Sequence, residues 1–79
     1  MQIPEGIITD IRQEFERATE KHKTFNSAHE GYAVLLEEVD ELWEEVKKKY
    51  EKRDGTKMRK EAVQVAAMAI RFIVDSIGD

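Results

Sequence analysis

The 79-residue chain has room for one domain, and it contains no cysteine, which excludes disulfides, thiolate zinc sites, iron–sulfur clusters and cysteine nucleophiles. Charged residues make up 38% of the chain and its net charge is −4, which argues against a binder of nucleic acid polymers, because such proteins are basic overall. No apolar run approaches the roughly 20 residues that span a membrane, and the N-terminus lacks the features of a signal peptide, so we expect a cytoplasmic protein.

The first predicted element is a helix over residues 4–23. Pro4 suits its first turn, because the N–H group that proline lacks would have no helical partner there. The apolar residues of this segment recur at helical spacing and form one stripe: Ile7, Ile8, Ile11, Phe15 and Ala18. The rest of the helix is charged and is expected to face solvent, and a connector of a few residues follows.

A second helix is predicted over residues 28–53. Ser27 is placed to cap its N-terminus, and Glu30, three residues later, completes the pattern of a capping box. One side of this helix is apolar: Tyr32, Leu35, Leu36, Val39, Leu42, Trp43, Val46 and Tyr50. We interpret Tyr32 and Trp43 as residues of the core or of a dimer contact.

A third helix is predicted over residues 57–77, after a turn at Asp54-Gly55, with Thr56 as its cap and Gly78 as its stop. Between Ala62 and Ala69 its residues are apolar nearly all round, which indicates burial on several sides. Two other helices of the same chain can cover only part of it. We therefore predict a single all-α domain, residues 1–79, whose three-helix subunit assembles into an oligomeric bundle.

The second helix carries an unusual concentration of acids. Residues 1–45 hold 12 acids and 4 bases, a balance of −8, and six acids fall within nine positions: Glu37, Glu38, Asp40, Glu41, Glu44 and Glu45. At about 100° per residue, Glu38, Glu41 and Glu45 share a strip beside the apolar face, whereas the other three turn toward solvent.

The third helix places Glu61 and Gln64 on one strip. If the second and third helices pack antiparallel across the Asp54-Gly55 turn, Glu61 faces Glu45 or Glu41, and several oxygen ligands converge. Mg²⁺ prefers such ligands. The alternative is that these acids form only a solvated helix face, and the spacing by itself leaves both interpretations open.

These residues resemble a known family. The segment Glu37-Glu38-Val39-Asp40-Glu41 matches the EExxE signature of the MazG-type, all-α nucleoside triphosphate pyrophosphohydrolases. Glu61 follows Glu41 by twenty positions, which falls within the range of spacings between the family's two motifs, and residues 61–72 look like the second motif helix of compact, phage- or mobile-element-borne members. The resemblance implies a Mg²⁺-dependent enzyme, with Mn²⁺ as a substitute, that cleaves nucleoside triphosphates between the α and β phosphates.

The resemblance also implies roles for individual residues. Glu38, Glu41 and Glu61 would be metal ligands, and Glu37 or Glu45 would support activation of water or hold a further ion. Gln64 stands where the family has an aspartate, and a neutral amide can ligate a cation but cannot act as a base. The alternative function is therefore a weak or inactive relative that binds nucleotide or metal, or a helical dimerisation module.

Further residues are candidates for contact with the substrate. Lys21 and Lys23 flank the first connector and could bind phosphates, as could Arg71, for which an ion pair with Asp75 one turn later is the alternative. Phe25 and Asn26, within the connector, are candidates for contact with the base. The expected partners are the nucleotide substrate and one or three further copies of this chain, as a homodimer or homotetramer.

Overall fold

A computed structural model describes residues 1–78 of the chain. It contains three α-helices, numbered in chain order: α1 (Glu5–Lys21), α2 (Ala28–Val46) and α3 (Gly55–Phe72). A short 3-10 helix, Tyr50–Lys52, lies between α2 and α3, and α3 continues into a π-helical segment, Ile73–Ile77. Residues 1–78 contain no β-strand, which confirms the predicted all-α class.

Helix α1 is slightly shorter than predicted. Pro4 occupies the N-cap position, and its carbonyl oxygen accepts hydrogen bonds from the backbone N–H groups of Ile7 and Ile8. The helix ends at Lys21 rather than at residue 23, because His22 already has extended backbone angles. Ala18, on the predicted apolar stripe, is buried.

The N-cap predicted for α2 is confirmed. Ser27 Oγ accepts a hydrogen bond of 3.1 Å from the backbone N–H of Glu30. The Glu30 carboxylate completes a different pattern from the predicted capping box, because it accepts from the backbone N–H of Asn26 at 2.7 Å and from the Asn26 side-chain amide at 3.2 Å. The connector is thus held to the first turn of α2.

The predicted extension of the second helix to residue 53 is wrong, since α2 ends at Val46. The next positions on its core-facing side are Lys49 and Arg53, which offer no apolar surface to pack against α3. Arg53 instead folds back, and its Nε donates a hydrogen bond of 2.9 Å to the carbonyl oxygen of Val46. This bond satisfies a carbonyl group that the end of the helix leaves without a partner.

Helix α3 begins two residues before the prediction. Asp54, not Thr56, is its N-cap: Asp54 Oδ1 accepts from the backbone N–H groups of Thr56 at 2.9 Å and Lys57 at 3.3 Å. The predicted stop at Gly78 is confirmed, since this residue has a φ of 98° and donates a hydrogen bond to the carbonyl oxygen of Ile73. Glycine adopts such a positive φ without strain.

Helix α3 lies between the other two helices and packs against both. It runs parallel to α1, because Arg59 pairs with Asp10 near one end and Arg71 contacts Lys23 near the other. It runs antiparallel to α2, as predicted. Ala67, Met68 and Arg71 are its buried residues, so only the part of α3 between its two neighbours is fully covered.

Much apolar surface remains uncovered in the single chain. Several large side chains are at least 40% exposed: Tyr32, Leu36, Val39, Trp43, Tyr50, Ile70, Ile73, Val74 and Ile77. Of the two interpretations of Tyr32 and Trp43, a place in the core of one subunit is wrong, since both are more than half exposed, and a place in a dimer contact stays a prediction. Within residues 1–78, no helix is both long and apolar enough to cross a bilayer.

Candidate metal centre

Three carboxylates converge between α2 and α3. Glu38 and Glu41 lie about one turn apart on α2, Glu61 lies on α3, and one oxygen atom of each falls within 4.8 Å of the other two. We call these residues the carboxylate triad. Antiparallel packing of the two helices brings them together. Three carboxylates are a donor set made only of oxygen, which fits a hard divalent cation such as Mg²⁺.

Crowding of like charges alters the protonation of the triad. Burial, the negative charge of Glu41 and a hydrogen bond with Glu41 raise the pKa of Glu38 from 4.5 to about 7. Burial and the neighbouring Glu41 also raise the pKa of Glu61. Both shifts mean that the fully ionised triad is unfavourable without a positive charge beside it.

The raised pKa of Glu38 predicts that the metal-free protein loses stability as the pH rises. The folded state binds the Glu38 proton more tightly than the unfolded state does. This proton binding stabilises the fold fully below pH 4.5, and the stabilisation is lost as the pH rises past about 7. In the Glu38→Gln protein, the side chain at this position carries no charge at any pH. The melting temperature of this protein without metal should exceed that of the wild type above pH 7, and the difference should shrink toward about pH 5. Melting curves recorded with a chelator measure both, and a difference that is independent of pH would contradict the prediction.

Gln64 lies against two members of the triad. Oriented with its nitrogen toward them, the amide donates hydrogen bonds of 3.2 Å to Glu38 Oε2 and 3.0 Å to Glu61 Oε2. The prediction that this side chain shares a strip with Glu61 therefore agrees with its position. As a donor of hydrogen bonds, the amide offsets part of the repulsion between the two carboxylates.

The two other acids predicted for the site lie outside the triad. Glu45 forms an ion pair of 2.8 Å with Lys48, although its charge still contributes to the raised pKa of Glu61. Glu37 is exposed and lines a cavity beside Glu38. Neither carboxylate belongs to the oxygen cluster that Glu38, Glu41 and Glu61 form.

Arg71 ties the connector between α1 and α2 to α3. It is only 3% exposed, and its Nη2 donates a hydrogen bond of 2.9 Å to the carbonyl oxygen of Lys23. Its guanidinium lies 4.5 Å from the centre of the Phe25 ring and 3.6 Å from Asp75 Oδ2, so the predicted ion pair is present. Asp75 Oδ2 also accepts a hydrogen bond of 3.3 Å from the backbone N–H of Phe25.

The same region depends on a glycine. A Cβ atom at Gly31 would lie 2.8 Å from Phe72 Cδ2, closer than such atoms approach in proteins, and in a tight contact of 3.0 Å with Phe25 Cδ2. The absence of a side chain at this position lets both rings pack against the first turns of α2. The connector is therefore held from two sides, by Arg71 and by the backbone of α2.

A cavity of about 370 Å³ opens between the connector, α2 and α3, and Glu38 belongs to both this cavity and the triad. Three of the predicted substrate-binding residues line it, namely Lys23, Phe25 and Arg71. The other two are placed elsewhere: Lys21 is exposed at the end of α1, and the Asn26 side chain is bonded to Glu30. The cavity is also lined by Glu37, which was predicted for the site, and by His22, Glu30, Val34 and Met68.

A second groove, of about 380 Å³, lies between α1 and the N-terminal half of α3. Its cations are Arg17, Arg59 and Lys60, of which Arg17 pairs with Glu14 and Arg59 with Asp10. The pKa of Arg17 is raised mainly by Glu14 and to a smaller extent by Glu38. The effect of Glu38 shows that this cation of α1 lies within electrostatic reach of the triad. The sequence offered no signal for this proximity, because it depends on how α1 packs.

A larger cavity, of about 530 Å³, lies along α1 beside Ile70 and is lined mainly by isoleucine and phenylalanine side chains. None of the predicted site residues lines it, and it offers no cluster of ligands. The carboxylate triad and the cavity that shares Glu38 therefore form the candidate functional site. No protein-family model, curated protein or solved structure matches this chain.

Proposed function

We propose that the protein is a Mg²⁺-dependent nucleoside triphosphate pyrophosphohydrolase that acts on cytoplasmic nucleotides and releases a nucleoside monophosphate and pyrophosphate. The observation that carries this proposal is the convergence of Glu38, Glu41 and Glu61 from two helices, at the sequence spacing that resembles the MazG-type family. A cavity of suitable size adjoins them, since small-molecule sites commonly measure about 300–1,000 Å³.

In this proposal, different residues of the site bind the metal ion and take part in the chemistry. Glu38, Glu41 and Glu61 would hold Mg²⁺ or Mn²⁺, with Gln64 as a possible oxygen ligand. When bound, the ion neutralises phosphate oxygens and lowers the pKa of an attacking water molecule. Glu37 lies outside the triad, is exposed and lines the cavity, which supports a role as the acid that accepts a proton from water. Glu45 is held by Lys48 and serves to maintain the negative field.

The cavity beside Glu38 would take the nucleoside half of the substrate. Phosphates bound at the triad leave the sugar and base to occupy the neighbouring space, where Val34, Phe25 and Met68 provide apolar contacts. Lys23 and Arg71 provide donors to the acceptor atoms of a base or to a phosphate oxygen.

Filling this cavity should separate recognition of the nucleoside from recognition of phosphate. Val34→Trp is expected to weaken binding of a nucleoside triphosphate by about tenfold or more, equivalent to about 1.4 kcal/mol. Inorganic tripolyphosphate has no nucleoside, so its Mg²⁺-dependent binding should change less than about twofold. Calorimetry with both ligands measures the two effects, and an equal loss for both would place the nucleoside elsewhere.

Incubation of the purified protein with Mg²⁺ and a panel of common and modified nucleoside triphosphates tests the activity itself. Pyrophosphate and the monophosphate should appear together, and a chelator should stop their release. Release of inorganic phosphate alone would indicate cleavage at a different bond. Absence of any product from every nucleotide would refute the hydrolase proposal.

Gln64 favours a second candidate function, a nucleotide-binding or metal-binding module without turnover. Its amide cannot accept a proton as an aspartate would, and it already bonds two carboxylates of the triad. Calorimetry that detects Mg²⁺-dependent nucleotide binding without products would favour this candidate. For either function we propose a homo-oligomer, dimer or tetramer, because the single subunit leaves large apolar side chains uncovered.

A further inference from the structure

One side of α2 carries an apolar stripe that residues 1–78 leave about half exposed. Tyr32, Leu36, Val39 and Trp43 recur at intervals of four, three and four residues, which places them on one side of the helix. Tyr32 is 59% exposed and Trp43 57%, and the two aliphatic residues between them are 41% exposed. We call these four residues the α2 stripe.

The α2 stripe faces away from the carboxylate triad. At about 100° per residue, the centre of the stripe lies about 170° around the helix from Glu41. A partner seated on the stripe would therefore leave the triad and its cavity open to solvent. The aromatic residues of the stripe cannot stack on a ligand bound at the triad of the same chain.

The single chain lacks the second layer that a stable domain requires. The only apolar side chains that are buried are Ala18, Ala67 and Met68, and no large side chain in residues 1–78 is fully buried. The radius of gyration is 13.5 Å, whereas a compact domain of this length has about 12 Å. Domains consist of at least two packed layers around a core, and here α1, α3 and α2 follow one another side by side.

We propose that the α2 stripe is the contact surface of a two-fold dimer, in which α2 packs antiparallel against α2 of a second copy. The stripe is self-complementary in this arrangement. A two-fold axis between Leu36 and Val39 sets Tyr32 against Trp43 of the other copy, and sets Leu36 against Val39, so that aromatic meets aromatic and aliphatic meets aliphatic. Antiparallel packing also aligns the helix dipoles favourably.

The area of the uncovered surface matches what a dimer needs. Together with Ile70, Ile73, Val74 and Ile77, the stripe residues are on average about half exposed. With about 150–200 Å² for each large side chain, the eight residues expose on the order of 700 Å². A stable interface buries about 800 Å² on each partner, and tryptophan and tyrosine at its centre commonly dominate the binding energy. An obligate partner that is always present at equal concentration is another copy of the same chain.

Measurement of the oligomeric state tests whether the α2 stripe is a dimer contact. The dimer proposal rests on the proposed assembly but not on the hydrolase activity. The wild-type protein should have at least twice the subunit mass of 9.2 kDa in sedimentation equilibrium. Trp43→Lys should shift the protein toward monomer, or a tetramer toward dimer. Ile3→Lys is the matched control, because Ile3 is a similarly exposed apolar residue, at 63%, outside the eight residues counted for the interface. A monomeric wild type, or dissociation by Ile3→Lys alone, would overturn the proposal.

Cross-linking tests the same contact without dissociating it, in case the Trp43→Lys subunit does not fold alone. The chain has no cysteine of its own, so thiols can be placed singly. We would mix Leu36→Cys chains with Val39→Cys chains, one of them carrying an affinity tag, and oxidise them or join them with a short thiol-specific linker. The antiparallel register sets Leu36 of one copy against Val39 of the other, so mixed dimers should exceed both kinds of matched pair. A short linker can join the two thiols, because helices in contact lie about 8–10 Å apart.

Other cross-linking outcomes contradict the proposal. An excess of matched Leu36→Cys pairs would indicate a parallel contact, and cross-links no more frequent than those of Glu44→Cys would remove the stripe from the interface. These measurements need neither nucleotide nor Mg²⁺. A failed dimer test would therefore leave the hydrolase proposal in place, and an inactive protein would leave the dimer proposal in place.

Discussion

Glu61→Gln should lower the Mg²⁺-dependent release of pyrophosphate by about 100-fold or more, because it removes one of three anionic oxygens from the proposed metal site. The same substitution should raise the stability of the metal-free protein, since burial and Glu41 already raise the pKa of Glu61 and make its charged form unfavourable. Initial rates over a range of Mg²⁺ concentrations and melting curves with a chelator measure the two effects. A loss of activity combined with a gain in stability distinguishes a functional acid from a structural one.

Glu44→Gln is the matched control for this experiment. Glu44 lies on α2, close in sequence to the triad residues Glu38 and Glu41, is exposed, and forms an ion pair of 3.0 Å with Lys47, outside the triad. Its substitution should leave activity and stability nearly unchanged, because exposed pairs contribute about 0–1 kcal/mol. Equal loss of activity in both variants would mean that general negative charge, not a metal site at the triad, supports the reaction.

Arg71→Ala is expected to lower the free energy of unfolding by about 2–4 kcal/mol. The substitution leaves Asp75 without its cation, removes the hydrogen bond to the carbonyl oxygen of Lys23, and uncovers one face of the Phe25 ring. The wall of the proposed nucleoside cavity should loosen as a result. Urea denaturation at one fixed protein concentration measures the loss, because the stability of an oligomer depends on concentration.

Arg17→Ala provides the control for the loss of a guanidinium. Arg17 also pairs with a carboxylate, that of Glu14, but its side chain is 54% exposed, so its removal should reduce stability far less than removal of Arg71. Arg71→Lys should be nearly as destabilising as Arg71→Ala, because an ammonium group cannot stack on Phe25 as the planar guanidinium does. Similar stability of the Arg71→Ala and Arg17→Ala proteins would show that the Arg71 contacts contribute little.

Helix starts and stops that depend on neighbouring residues could be predicted from the sequence. Ser27 and Gly78 act through hydrogen bonds within about five residues along the chain, so their roles follow from local patterns. The end of α2 does not follow from a local pattern. Lysine and glutamate favour helix throughout residues 47–53, and the helix stops at Val46 because Lys49 and Arg53 have nothing to bury against α3.

Some features of the candidate site could likewise be predicted from the sequence, and others could not. The sequence placed Glu38, Glu41 and Glu61 together because helical periodicity and an antiparallel turn determine which residues face each other. It did not predict that Arg17 lies near Glu38, nor that Glu45 is held by Lys48 outside the triad. These positions depend on the packing of α1 and on side-chain pairing, which periodicity does not specify.

The position of Gln64 gives the site a property that an aspartate there would not give. The amide has a donor and an acceptor on opposite sides of one carbon atom, so a half-turn about its last side-chain torsion exchanges nitrogen for oxygen at the same place. With nitrogen inward it bridges Glu38 and Glu61, and with oxygen inward it would face a cation. A single bond rotation would therefore turn a donor of hydrogen bonds to two carboxylates into an oxygen ligand, without movement of either helix.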